Sequence, residues 1–158
     1  MFRLRKPPQL LLGSDTGLYD QGTFYKRFSY DLRNASSEVV IESPFVTVRR
    51  MDTILPELAR LTKRGVKVVV NTKPPIEHDE FMQEQAEVAI ANMQSIGVEV
   101  LLTVGHHRKL AVIDRAIVWE GSLNILSQYD SCEIMRRLQS EQLASQLLNF
   151  IKLTRFLA

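Results

Sequence analysis

The sequence predicts an α/β fold: an α-β-α sandwich built on a mixed, mostly parallel sheet. Two observations lead to this prediction. Apolar runs of strand length alternate with amphipathic segments of helical period, with short connections between them. The later part of the chain then changes to closely spaced strands around Asp114-Arg115, which adds antiparallel strands. A chain of 158 residues suits one such domain over residues 1–158, and it leaves open whether that domain belongs to a larger helicase or restriction enzyme.

The first part of the chain holds three helix–strand units. Aromatic residues at helical spacing predict the first helix, while Thr53 as N-cap with Pro56 in the first turn predicts the start of the second. The continuous β-branched run at 66–72 is typical of a strand covered on both faces. The predicted helices cover residues 20–35, 53–64 and 80–95, and the predicted strands cover residues 38–43, 66–72 and 98–104.

The second part is predicted to contain a hairpin, one more strand and a last helix. The hairpin joins residues 107–114 to 116–122, and a strand over 130–138 follows it. Ser140 is the expected N-cap of a helix that runs to residue 157. Its apolar face is predicted to pack on the sheet and consists of Leu143, Leu147, Phe150, Ile151 and Leu157.

The composition indicates which compartment and which kinds of partner to expect for this protein. The lone Cys132 excludes an internal disulfide and is expected to be a small core residue in a reducing compartment. The apolar run at 10–12 is too short for a signal peptide, and no stretch reaches the length of a membrane helix, so the expected location is cytoplasmic. The net charge is only +2, but the basic residues are grouped, and a local patch matters more to a polyanion than net charge does.

The most specific feature is the pattern H-x-K-x4-D followed by G-S-x-N. With average residue usage, the first half alone arises by chance in roughly one chain of this length in a hundred. The second half lowers that frequency roughly a thousandfold. The pattern sets an imidazole, an ammonium, a hydroxyl and an amide in one short span, groups that can attack a phosphodiester and hold its oxygens. Its residues are His107, Lys109, Asp114, Gly121, Ser122 and Asn124.

This pattern resembles the phospholipase D superfamily, also called the HKD family, and most closely its short, single-motif nuclease branch. The resemblance implies an α-β-α sandwich and a phosphodiesterase that uses neither metal nor cofactor. Such nucleases carry a carboxylate downstream of the motif, and Glu133 in the segment SCEIMRR stands at that place.

The reaction assigns a role to each group. A neutral imidazole at His107 avoids the repulsion that an anionic nucleophile meets at a phosphodiester, and it can form a covalent phosphohistidine. Lys109 places positive charge on a non-bridging oxygen, and Ser122 and Asn124 add neutral donors. Glu133 is expected to accept a hydrogen bond from His107 Nδ1, which leaves Nε2 free to attack.

Asp114 is expected to be structural, because a carboxylate beside the phosphate would repel it. Gly121 is likewise expected to be a structural residue of the motif. If residues 107–114 form a strand, His107 and Lys109 share one face and His106 points to the other. The trio Glu77, His78 and Asp79 lacks a further ligand at useful spacing and is interpreted as a solvated loop rather than a metal site.

One motif supplies one catalytic histidine, whereas the reaction needs a nucleophile and an acid–base group. A homodimer solves this, because a twofold axis can set two copies of His107 on either side of one phosphate.

The favoured substrate is nucleic acid, DNA rather than RNA, with Arg108, Arg49 and Lys73 as candidate binding residues and no membrane partner. Lipid-processing members of the family are generally longer, with two motifs. The alternatives are a phospholipase D or phosphatidyl-transferase acting on membrane lipid, and a nucleic-acid-binding module without turnover. Strandedness, cleavage position and base preference are left open.

Overall fold

The structure, a computed structural model, describes residues 16–157, so the apolar run at 10–12 lies outside the described residues. Within them the helices are α1 (Phe24–Asn34), α2 (Val48–Lys63), α3 (Glu80–Ser95) and α4 (Glu141–Phe150), with short 3₁₀ turns at Pro75–Glu77 and Thr154–Phe156. The strands are β1 (Gly17–Asp20), β2 (Glu38–Glu42), β3 (Lys67–Thr72), β4 (Glu99–Leu102), β5 (Leu110–Ile113), β6 (Ile117–Gly121) and β7 (Ile134–Gln139).

These strands form one mixed sheet in the order β1-β7-β6-β5-β2-β3-β4. A mixed sheet was predicted, but the expectation that it is mostly parallel is wrong. Only the β2–β3 and β3–β4 pairs among the described strands are parallel, and the other four pairs are antiparallel. The reason is that parallel neighbours need a crossover such as a helix, and from β5 to β7 the chain makes no helical crossover.

The predicted hairpin between β5 and β6 is confirmed. Its turn residues Asp114 and Arg115 both have positive φ, 52° and 49°, and with Ala116 they form the loop between the paired Ile113 and Ile117. By contrast, β1 was not predicted from the sequence. It is only four residues long and alternates in exposure, and its place in the sheet comes from pairing with β7, more than 110 residues later.

Helices cover both faces of the sheet, which confirms the α-β-α sandwich. Helices α1, α2 and α3 pack on one face with a core that includes Phe28, Leu58 and Met93. Helix α4 packs on the other face, where Ala144 and Leu148 meet β-branched residues of β2, β3, β5 and β6. No helix within residues 16–157 is long and apolar enough to cross a membrane.

Helix α2 begins earlier than predicted, with Thr47 and not Thr53 as N-cap. The Thr47 hydroxyl accepts a hydrogen bond from the amide of Arg50, whereas the Thr53 hydroxyl donates to the Arg50 carbonyl inside the helix. Pro56 therefore lies in the helix interior, where it removes one backbone bond. The helix continues through it because Ile54 and Leu58, on either side of Pro56, are both buried in the core.

The last helix has the predicted Ser140 cap, whose hydroxyl accepts from the amide of Leu143 at 3.1 Å, but it ends at Phe150. The chain then turns at Lys152, which has φ 61°. Phe150 is consequently 83% exposed, against the prediction that it packs on the sheet, while Ile151 and Leu157 are buried there. Cys132 is likewise exposed and not a core residue, because the strand after it begins only at Ile134.

Candidate active site

The residues of the H-x-K pattern lie in an extended loop and not in the predicted strand, since β5 starts at Leu110. The loop still turns the two histidines in opposite directions, with His107 exposed and His106 only 3% exposed. Burial lowers the pKa of His106, against the opposing charge of Glu42. His107 is thus the histidine that a substrate can reach.

A buried polar network holds this loop in place. The carboxylate of Glu42, at the end of β2, accepts two bonds from Arg108, Nε at 2.5 Å and Nη2 at 2.9 Å. Glu42 is fully buried, and its Oε1 also accepts a bond from Asn71 Nδ2 at 2.9 Å. Thr103 donates in turn to Asn71 Oδ1 at 2.9 Å, so the network joins β2, β3 and the end of β4 to the loop.

This network gives Arg108 a structural role in addition to the predicted contact with nucleic acid, which stays a prediction. Its guanidinium forms a two-bond pair with a buried carboxylate, and the hydrogen bond to Glu42 raises the pKa of Arg108 further. Sequence reasoning missed Glu42 and Asn71. The signal was a polar residue at the end of each of two otherwise apolar buried strands, where a side chain needs a partner.

Lys109 is partly buried at the end of the motif loop. Its Nζ donates to the His107 carbonyl at 2.8 Å, which folds the ammonium back over the motif loop. Partial burial lowers the pKa of Lys109; the charge of Glu133 opposes this shift and that of Lys73 adds to it. The ammonium is therefore set in a partly desolvated position, where its charge acts more strongly on an anion.

Asp114 ties the hairpin turn to the chain segment before β2. Its carboxylate accepts bonds from the amides of Ser36, Ser37 and Glu38 at 2.9, 2.8 and 3.1 Å and from both serine hydroxyls. Burial acts to raise its pKa, but these hydrogen bonds outweigh it and hold the pKa of Asp114 below the ordinary value. All these contacts are internal to the fold, so Asp114 acts through structure.

Gly121 allows β6 to approach β7 closely. A Cβ atom on Gly121 would lie 2.1 Å from the Ile134 carbonyl oxygen and 2.9 Å from Met135 Cα, which no side chain tolerates. Ser122 follows directly and bonds the same neighbour: its amide donates to the Ile134 carbonyl at 2.9 Å, and its hydroxyl accepts from the Ile134 amide at 3.1 Å. The glycine thereby sets the motif serine beside Glu133.

The side chains of Glu133 and Asn124 differ in their hydrogen bonding to the rest of the protein. Glu133 Oε1 accepts a bond from the Ser131 hydroxyl at 2.8 Å, and no bond within residues 16–157 joins Glu133 to the predicted partner, the His107 ring. The amide group of Asn124 makes no hydrogen bond to another described residue, and its Oδ1 is buried. Buried polar atoms normally have a partner, and Asn124 Oδ1 is a buried acceptor without one among the described residues; that Asn124 donates to a phosphate oxygen stays a prediction.

An open groove, which we call the motif groove, brings Lys109, Ser122 and Glu133 together. His107 and Asn124 are not among its lining residues. Its floor is the part of the sheet that α4 does not cover. This floor includes Leu18 and Ile134, which are 67% and 62% exposed. No group of three or more His, Cys, Asp or Glu residues in the described part of the chain is arranged to hold a metal ion.

The other two candidate binding residues lie along an adjoining surface. Lys73 Nζ is 4.8 Å from the centre of the Phe45 ring, and Phe45 in turn contacts the ring of His78 with centres 5.1 Å apart. The Arg49 guanidinium lies 3.8 Å over the ring of Tyr129. Both cations are thus held against aromatic rings.

Comparison with known proteins identifies the class to which this fold and site belong. The family profile described as the PLD-like domain of cardiolipin synthase matches residues 29–153, which includes the whole motif. The chain therefore belongs to the PLD-like, or phospholipase D, superfamily. No curated protein sequence is significantly similar to it.

Solved structures of the same fold include two bacterial proteins of similar length. Nuc from Salmonella typhimurium, a phospholipase D family member, superposes with a TM-score of 0.73 at 15% identity, over 90% of this chain and 94% of its own. NucT from Helicobacter pylori gives 0.65 at 17% identity, over 90% and 96%. A phosphatidylserine synthase from Haemophilus influenzae gives 0.60 at 15% identity, over 85% of this chain and 37% of its own.

Proposed function

We propose that this protein is a metal-independent phosphodiesterase that cleaves nucleic acid, with DNA favoured over RNA. The observation that carries the proposal is the arrangement of the motif: an exposed His107 on a braced loop beside a groove that collects Lys109, Ser122 and Glu133. The similarity of size and fold to Nuc and NucT supports the nuclease over the lipid alternative.

The mechanism uses two displacements at phosphorus. His107 Nε2 attacks the phosphorus while an acid protonates the leaving oxygen, which gives a phosphohistidine and a free hydroxyl. A base then removes a proton from water, whose oxygen displaces the histidine and releases a phosphate monoester. Lys109, Ser122 and Asn124 hold the non-bridging oxygens in both steps.

The acid and base of this mechanism are assigned to His107 of a second copy, in a homodimer with one shared site. Support comes from the floor of the motif groove, where Leu18 and Ile134 leave apolar side chains exposed beside Lys109 and Ser122. Covering this face with the same face of a partner would bury both side chains and bring two motifs together about a twofold axis.

The shared site predicts that mixed dimers are inactive. Co-refolding wild-type chains with an excess of His107→Ala chains should lower activity per wild-type chain towards zero, because each mixed dimer lacks one of two required histidines. Light scattering should give twice the chain mass. Activity per wild-type chain that is unaffected by the excess, or a fully active monomer, would contradict the shared site.

Cleavage is expected to continue in excess chelator, because the two copies of the motif in the proposed dimer supply the nucleophile, the proton donor and the positive charge. The test is a panel in EDTA of a small aryl phosphodiester, single- and double-stranded DNA, RNA and phospholipid vesicles. We expect turnover of the aryl ester and of nucleic acid, with DNA cut faster than RNA.

Two outcomes of this panel would reject the proposal. Loss of nucleic-acid cleavage in EDTA with recovery in magnesium would reject the mechanism. Turnover of phospholipid without cleavage of any nucleic acid would favour the lipid enzyme. Lys109→Ala serves as the control that any observed turnover comes from this site.

A further inference from the structure

A second groove lies between the start of α2, α3 and the turn after the motif. We call it the Tyr129 groove, after its lining residues Arg49, Phe81, Gln85, Gln128 and Tyr129. Phe81 is 69% exposed and Tyr129 is 63% exposed. Two large rings left open to solvent in one concave surface are an unusual arrangement, and such patches commonly mark binding sites.

The wall of the Tyr129 groove is built from fixed contacts. Arg50 donates two bonds to the Gln128 carbonyl, from Nε at 3.0 Å and Nη2 at 2.7 Å, and its guanidinium stacks 3.9 Å from the Tyr25 ring. The carbonyl next to Tyr129 is thereby fastened to α2. Arg49 then lies over Tyr129 itself at 3.8 Å, so the groove presents an aromatic ring paired with a cation.

The Tyr129 groove is joined to the motif through the backbone. The carbonyl of Asn124 accepts bonds from the amides of Ser127 and Gln128 at 3.1 and 2.8 Å, so one tight turn separates the motif amide from the groove. The amide of Thr47 bonds the Leu126 carbonyl at 3.0 Å, which holds the other wall of the groove to the same turn.

Positive charge continues from the motif towards this groove. The charge of Lys73 acts to lower the pKa of Lys109, and Lys73 lies over Phe45, two residues before Thr47 at the start of α2. Arg49 follows on the first turn of α2. Lys73 and Arg49 each pair a cation with an aromatic ring, which is the composition of surfaces that bind single-stranded nucleic acid.

We propose that the Tyr129 groove binds a single-stranded stretch of the substrate next to the cleaved phosphate, with bases stacked on Tyr129 and Phe81 and a phosphate held by Arg49. A single strand is favoured because the faces of bases in a duplex are already stacked on one another and cannot reach a ring in a groove. The inference rests on the proposed function in one respect: the phosphate bound at the motif and the bases bound in the groove belong to the same strand.

Binding is tested separately from chemistry by using His107→Ala chains, which retain the groove but should not cut. Fluorescence anisotropy with labelled oligo(dT) and oligo(U) of 4 to 16 nucleotides should show tighter binding once the strand is long enough to span both sites. In that background, Tyr129→Leu and Phe81→Leu should each weaken binding roughly 5- to 150-fold, the range for one stacked base. Tyr129→Phe should restore it, since the ring is kept.

The matched control is Tyr30→Leu. Tyr30 is also a half-exposed tyrosine with an arginine over its ring, with the guanidinium of Arg27 at 5.0 Å, but it lies on α1 away from the groove. Its replacement should leave oligonucleotide binding unchanged. Melting curves of all variants distinguish a loss of binding from a loss of fold, because they measure the stability of each variant directly.

The two proposals fail in different ways. If the wild-type protein cleaves the aryl phosphodiester but the leucine variants bind oligonucleotides as the His107→Ala parent does, the groove proposal is overturned and the phosphodiesterase stands. If no phosphodiester is cleaved while binding still depends on both rings, the groove stands and the enzyme does not. Equal weakening of duplex binding by these variants would also overturn the groove proposal, since a stacked base is not available in a duplex.

Discussion

Replacing His107 with alanine is expected to lower kcat by roughly 10⁴- to 10⁶-fold, the order of magnitude for losing a covalent nucleophile. The side chain is exposed and makes no hydrogen bond or ring contact to another residue of the described part of the chain. Its removal should therefore change the free energy of unfolding by no more than about 0.5 kcal/mol. The loss would be one of chemistry and not of fold.

The measurement is turnover of a small aryl phosphodiester, together with a urea titration of both proteins. His78→Ala is the control, since His78 lies against Phe45 in the loop before α3 and has no part in the mechanism. Alkaline quenching of the wild-type protein during turnover, followed by mass spectrometry, should find substrate attached to the peptide that contains His107. Near-normal rates in His107→Ala would reject the assignment of the whole motif.

Replacing Asp31 with alanine is expected to have the largest effect on stability, about 3–5 kcal/mol. Asp31 and Arg137 are 3% and 2% exposed, and Arg137 donates to the Asp31 carboxylate from Nε at 2.8 Å and Nη2 at 3.0 Å. Trp119 Nε1 donates to the same carboxylate at 2.8 Å. Asp31→Ala removes the negative charge that compensates a guanidinium in the core, and it also takes the acceptor from a buried indole.

Urea unfolding monitored by circular dichroism measures this effect. Glu57→Ala is the matched control, because Glu57 bonds Arg33 and Arg60 at 3.3 and 3.2 Å on the surface of α2, where both arginines are largely exposed. That change should cost no more than about 1 kcal/mol. A similar small cost for both variants would show that the Asp31–Arg137 pair does not anchor α1 to the sheet.

Local pattern alone predicted most of the elements. The β-branched runs of β2 and β3, the helix that Gly97 closes, the turn at Asp114-Arg115 and the Ser140 cap all follow from side-chain period and turn chemistry within a few residues. Boundaries were wrong where tertiary burial outweighed local preference. Helix α2 runs through Pro56 because its apolar face is buried on both sides of the proline.

The motif likewise determined which residue types could do the chemistry, but not how the chain holds them. Arg108, expected at the substrate, is bound by Glu42, 66 residues earlier in the chain. Phe81 and Tyr129 line one groove although they are 48 positions apart in the sequence, and β1 completes the sheet by pairing with β7. The sequence by itself determines the features that depend on neighbouring residues along the chain. The contacts above depend instead on the strand order β1-β7-β6-β5-β2-β3-β4, which forms only when distant segments bury their apolar faces together.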